Sequence, residues 1–145
     1  MSFATRRGDN GGSVSVLIIE DEPYLRGELA SALTEAGFTV VSVRDYLEAL
    51  QKLVAFEPDI AIVDEALPSG NGKVVCFQLR RDFGFPVILM GVASGGEAWM
   101  RAVKAGAEFY FEKPVHYKEA VARVKAILRR YKETRASLLK EHTRV

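Results

Sequence analysis

Three acidic positions and one lysine carry the chemistry open to this sequence. Glu20 and Asp21 follow directly on the apolar run Val14 to Ile19 (VSVLII), and Asp64 closes a second run, Ile60 to Val63. Carboxylates brought together repel, by about 4 kcal/mol per pair at 4 Å and an effective dielectric of 20. A hard divalent cation relieves that repulsion, and Mg²⁺ is the usual one where phosphate chemistry is near. Lys113, in Glu112-Lys113-Pro114, ends a further apolar segment. Its ammonium can pair with an acid or with a phosphoryl oxygen.

The elements that must position these groups alternate along the chain. Strand patterns at Val14–Ile19, Phe38–Val43, Ile60–Val63, Val87–Met90 and Glu108–Phe111 alternate with helical patterns at Pro23–Ala36, Asp45–Phe56, Lys73–Arg81, Glu97–Ala105 and Tyr117–Tyr131. Pro23 suits a first helical turn, Gly37 a helix stop and Asp45 an N-cap. The segment containing Pro68, Gly70 and Gly72 reads as a loop. Five strands separated by helices predict βαβ units, a parallel sheet and a doubly wound α/β architecture with five helices. Such sheets bind ligands beyond the carboxyl ends of their strands. In the flavodoxin-like order 2-1-3-4-5 the first and third strands are neighbours, so Glu20, Asp21 and Asp64 converge.

Composition narrows the classes. The 145 residues suit one domain, and 48% hydrophobic with 27% charged content excludes disorder for most of the chain. Cys76 is the single cysteine, so no internal disulfide forms; no window is long and apolar enough for a membrane span, and residues 1–13 lack a signal-peptide pattern. These features predict a reducing, cytoplasmic setting. The expected organisation is a flexible segment over 1–13, a domain over 14–131 and a basic helical extension or linker over 132–145. From Lys118 onward nine Lys/Arg face three Glu. A solvated amphipathic helix accounts for that excess, and no direct nucleic-acid binding by this chain is expected.

With these residues in place, the sequence resembles the receiver (CheY-like) domains of bacterial two-component response regulators. The matching stretches are VSVLIIEDE (14–22), PDIAIVDEALPSGNG (58–72), FPVILM (85–90) and AGAEFYFEKP (105–114), within a resemblance spanning about 14–131. The resemblance implies a non-enzymatic signalling module whose acceptor, Asp64, takes a phosphoryl group from a sensor histidine kinase or phosphotransfer protein. It implies Mg²⁺ at Glu20, Asp21 and Asp64, Lys113 on the phosphoryl group, and a cis Lys113–Pro114 bond. Glu20 in place of Asp is a common variation.

One departure matters. The family carries a switch Thr or Ser five residues after its proline and 22 before its lysine, and both counts fall on Gly91. In the family that hydroxyl bonds the phosphoryl group and draws an aromatic residue inward, the position of Tyr110 here. Without it, a coupling worth roughly 1.5 to 3 kcal/mol is missing. Ser94 could replace it only if its loop folds back, and the branched Val92 would crowd the phosphoryl pocket.

The last helix resembles the OmpR/PhoB-like class. Glu119, Arg123, Lys125 and Arg130 match that class's dimer-face charges, but the partner positions hold Trp99, Phe109, Lys104 and Glu108. Glu108 with Arg130 keeps complementary charge. Trp99 and Phe109 either form an apolar homodimer face or pack on their own domain. Cys76 reads as core, and His116 and His142 as surface positions without a metal-ligand partner. A phosphatase of the haloacid dehalogenase type would need an acid two residues after Asp64, where Ala66 stands. The expected function is a phosphorylated receiver; the alternative is a degenerate receiver acting by protein contact without a phosphorylation switch.

Overall fold

The computed structural model describes residues 13–68 and 70–143. Strand β1 (Ser15–Ile19) is buried at every position, as a strand covered on both faces must be. Its β-branched side chains alternate between two cores. Val16 and Ile18 join Leu29 and Leu33 of helix α1 (Pro23–Glu35) and Val124 and Ile127 of α5 (Tyr117–Thr143). Leu17 and Ile19 join Ala49 of α2 (Tyr46–Leu53), Val75 and Leu79 of α3 (Gly72–Asp82), and Ala98 and Ala102 of α4 (Gly96–Lys104).

The main sheet has five parallel strands in the order β2-β1-β3-β6-β7, with β2 at Thr39–Val43, β3 at Ile60–Asp64, β6 at Val87–Gly91 and β7 at Phe109–Glu112. This is the expected 2-1-3-4-5 order of the sheet's five strands. The register Ile19↔Val63 sets the ends of β1 and β3 side by side, and Asp64↔Met90 does the same for β3 and β6. Glu22 caps α1, accepting from Leu25 N at 2.6 Å, and Asp45 caps α2, accepting from Glu48 N at 2.9 Å. Both helices therefore start where a carboxylate satisfies a free amide.

Three differences from the sequence reading have physical causes. The expected loop after β3 contains a small antiparallel hairpin, β4 (Ala66–Leu67) with β5 (Gly70–Asn71). Helix α2 stops at Leu53 rather than near Phe56, because Ala55 and Phe56 N–H both turn back to the Lys52 carbonyl ahead of Pro58. Helix α5 continues past Tyr131 to Thr143, since no Gly or Pro follows Pro114 to end it. The expected flexible segment 1–13 lies outside the described residues except for Ser13, and the expected boundary at 131 falls inside one unbroken helix.

Candidate functional site

At the carboxyl edge of the sheet, Glu20, Asp21 and Asp64 present oxygens that all lie within 4.8 Å of one another. The chain leaves β1 with Glu20 fully buried; its backbone N–H donates to Val43 O, and its Oε2 accepts from Glu22 N at 3.0 Å. Arg26 Nη1 donates to the Glu20 carbonyl at 2.9 Å and so fixes the turn carrying both acids. Asp64 ends β3 with Oδ1 accepting from Ala66 N at 3.1 Å. A Cβ at Gly72 would run into the Asp64 carbonyl, so α3 can start this close only with glycine there.

Lys113 leaves the end of β7 and places Nζ 3.1 Å from Asp64 Oδ2 and 3.1 Å from Glu20 Oε1. One ammonium thus serves two buried carboxylates. Its approach to Glu20 Oε1 lies outside hydrogen-bond geometry, which leaves that buried oxygen without a hydrogen-bond partner among the described residues. Burial, reinforced by Asp64, pushes the Glu20 carboxyl up to about 7, against the lowering pull of Glu22 N–H and Lys113. Burial would lower the Lys113 pKa, but the negative groups of Asp64 and Glu20, each 3.1 Å away, outweigh it and raise the value. The peptide bond between Lys113 and Pro114 is cis. An unsatisfied buried carboxylate oxygen beside two further acids is a donor set that fits a hard divalent cation.

A model of the response regulator receiver domain matches residues 16–125. The chain belongs to this family. Receiver-containing relatives include the DNA-binding response regulator MtrA of Mycolicibacterium smegmatis, 34% identical over 124 residues that cover 86% of this chain and 54% of the relative. The transcriptional regulatory protein CseB of Streptomyces coelicolor is 34% identical over 116 residues, 80% of this chain and 50% of the relative. The chain thus spans about half the length of these curated relatives. Among solved structures, a two-component response regulator from Clostridium difficile superposes with a TM-score of 0.77 at 26% identity, covering 82% of this chain and 98% of that one. A CheY-like receiver from Methanospirillum hungatei reaches 0.78 at 21% identity, covering 85% and 99%, and supports the fold.

Against the receiver pattern, the switch region holds a substitution that sequence reasoning missed. A Cβ built on Gly91 would lie 2.5–2.7 Å from Glu65 Oε1, Cδ and Cγ, so the Glu65 side chain fills the place a residue at 91 would take. Ser94 is exposed and does not fold back, and Val92 is 82% exposed rather than crowding the pocket. The Tyr110 hydroxyl donates to the Ala93 carbonyl at 2.7 Å and faces Glu65 Oε1 at 3.4 Å. Burial, then the Glu65 charge, pushes this phenol up to about 12. The other Glu65 oxygen, Oε2, is buried with no hydrogen-bond partner among the described residues.

The aromatic face also has a definite arrangement. Trp99 stands edge-on to Phe109 with ring centroids 4.7 Å apart, and Arg123 Cζ lies 3.9 Å over the Phe109 ring. These residues pack on their own domain, with Trp99 still 36% exposed. Glu108, expected to pair with Arg130, does so at 3.7 Å within the same chain and also holds Arg80 at 3.5 Å and the Tyr131 hydroxyl at 2.9 Å. Cys76 is buried and its thiol is pushed up to about 12 by burial, as a core residue requires.

Proposed function

We propose that Asp64 accepts a phosphoryl group from a sensor histidine kinase or phosphotransfer protein, and that Glu20, Asp21 and Asp64 hold the Mg²⁺ this chemistry uses. The observation that carries the reading is the convergence of three carboxylates at the sheet's carboxyl edge, with one lysine paired to two of them, Glu20 and Asp64. A carboxylate oxygen of Asp64 forms the new bond to phosphorus while the bond from phosphorus to the donor histidine nitrogen breaks. The cation, when bound, neutralises charge on the phosphoryl oxygens. Ala66 N–H orients the Asp64 carboxylate, and Lys113 is placed to bond the phosphoryl group once it is attached.

The reading places the chain in the cytoplasm with protein partners, and self-association, where it occurs, on the face carrying Trp99 and Phe109. Among the described residues no helix is long and apolar enough to cross a membrane. Incubation with acetyl phosphate and Mg²⁺ should add one phosphoryl mass to the protein and none to Asp64→Asn. A modified Asp64→Asn would move the acceptor elsewhere, and an unmodified wild-type protein would favour a contact module that works without phosphorylation.

A further inference from the structure

Register explains how Glu65 comes to sit where it does. Asp64 pairs with Met90, Glu65 N–H donates to the Met90 carbonyl at 2.9 Å, and the next residue on that neighbouring strand is Gly91. A side chain at 65 and one at 91 therefore compete for one space, and here the space belongs to Glu65. The occupant is a carboxylate one residue from Asp64, with one oxygen facing the Tyr110 hydroxyl and the other buried without a hydrogen bond among the described residues. Tyr110 in turn lies against Trp99, ring centroids 6.4 Å apart.

We propose that Glu65 is a positioning residue that replaces the missing side chain at 91 and transmits added negative charge at Asp64 to Tyr110 and, through Trp99, to α4. The transmission half rests on Asp64 being the phosphoryl acceptor. The physical sense differs from that of a hydroxyl. A hydroxyl can donate to a phosphoryl oxygen and is drawn toward it, whereas a carboxylate accepts only and is repelled. New charge at Asp64 pushes Glu65 out of the Gly91 notch, which removes a group packed against the Tyr110 hydroxyl and leaves that hydroxyl with its bond to the Ala93 carbonyl. The substitution keeps a connection between pocket and aromatic face but reverses its sign, from attraction to expulsion.

Trp99 is the single tryptophan, so its emission reports this path without labelling. The first arm tests occupancy. Because the clash is with the end of a flexible side chain, Gly91→Ala should evict Glu65 while leaving the fold intact by circular dichroism. Glu65→Ala and Gly91→Ala should then shift Trp99 emission in the same direction, and the double variant should shift it no further than either alone. Shifts that add, or no shift in either single variant, overturn the shared-space assignment.

The second arm tests transmission. After acetyl phosphate and Mg²⁺, intact mass gives the phosphorylated fraction and Trp99 emission gives the response per phosphorylated molecule. The wild-type response should exceed that of Glu65→Gln several-fold, since the amide can donate to the phosphoryl group and is not expelled. Equal responses overturn the transmission role. Absence of any added mass on the wild type overturns the acceptor reading and the transmission built on it, while the occupancy arm stands or falls on its own emission data.

Discussion

Strand β7 separates two charged clusters that solve opposite problems. At its exit, Lys113 faces two buried carboxylates, Glu20 and Asp64, and one acid oxygen has no hydrogen bond among the described residues. At its entry, Glu108 alone is held by Arg80, Arg130 and the Tyr131 hydroxyl. The entry cluster sets two cations and a hydroxyl on one carboxylate, and it ties α3 and α5 to the sheet. The exit cluster sets one cation between two buried acids, one of which, Glu20, holds its proton up to about 7. Two cations on one carboxylate make a fastening; acids that outnumber their cation are what the proposed Mg²⁺ site requires.

The sharpest way to break this contrast is to remove each hub. Lys113→Met should cost about 2–4 kcal/mol in metal-free buffer, because two buried acids lose the cation paired with both, and Mg²⁺ should recover part of the loss. Chemical denaturation with and without Mg²⁺ measures both effects. If Mg²⁺ restores nothing, the exit cluster is not a cation site.

Next in size is the pH response of the exit cluster. The folded Glu20 carboxyl titrates near 7, above its ordinary 4.5, so the folded state holds the proton more tightly than the unfolded chain. The stabilisation is complete below about 4.5 and is lost as pH rises through about 7, a change of up to about 3 kcal/mol at ~1.4 kcal/mol per unit. Glu20→Gln should flatten this part of the stability profile without metal and weaken Mg²⁺ binding. An unchanged slope would show that Glu20 is not the group responsible.

At the entry cluster, Glu108→Ala should cost about 1–2 kcal/mol, since Arg80 and Arg130 retain access to water, and Tyr131→Phe about 1 kcal/mol. Neither loss should respond to Mg²⁺. Restoration of either by the cation would dissolve the distinction between the two ends of the strand.

The smallest effect concerns self-association through the aromatic face. Any dimer there is driven by Trp99 and Phe109 and should persist in salt, because the Glu108–Arg130 pair is already closed within one chain. Sedimentation of wild type beside a Trp99→Glu, Phe109→Glu variant should show lower mass for the variant. Equal masses would place the contact elsewhere or show a monomer.

Much of this was legible before any coordinates. Apolar strands ending in Glu20, Asp64 and Lys113 announce both the sheet and the edge at which its acids meet, because period and strand ends are local signals. Glu65 was not legible in the same way. Its role depends on a cross-strand neighbour, and only the pairing of Asp64 with Met90 brings it against Gly91. The signal was nonetheless present: the expected order set the third and fourth strands side by side, so a glycine just past one and a long side chain just past the other could have been read as complementary. The β4–β5 hairpin was missed, and the continuation of α5 was read only as one of two alternatives, for simpler reasons. A hairpin with two residues per strand has no periodicity to detect, and a helix without a stop residue ends where packing, rather than propensity, decides.

That helix has a mechanical consequence. Tyr131 is clamped to Arg80 and Glu108, and twelve further residues continue along the same axis to Thr143. At 1.5 Å per residue this is an arm of about 18 Å beyond its fulcrum. A tilt of about 10° at the clamp would swing the tip by about 3 Å over that length. The fastening at the entry of β7 thus doubles as a pivot, and rotations too small to see within the sheet become displacements of atomic size at the far end of the lever.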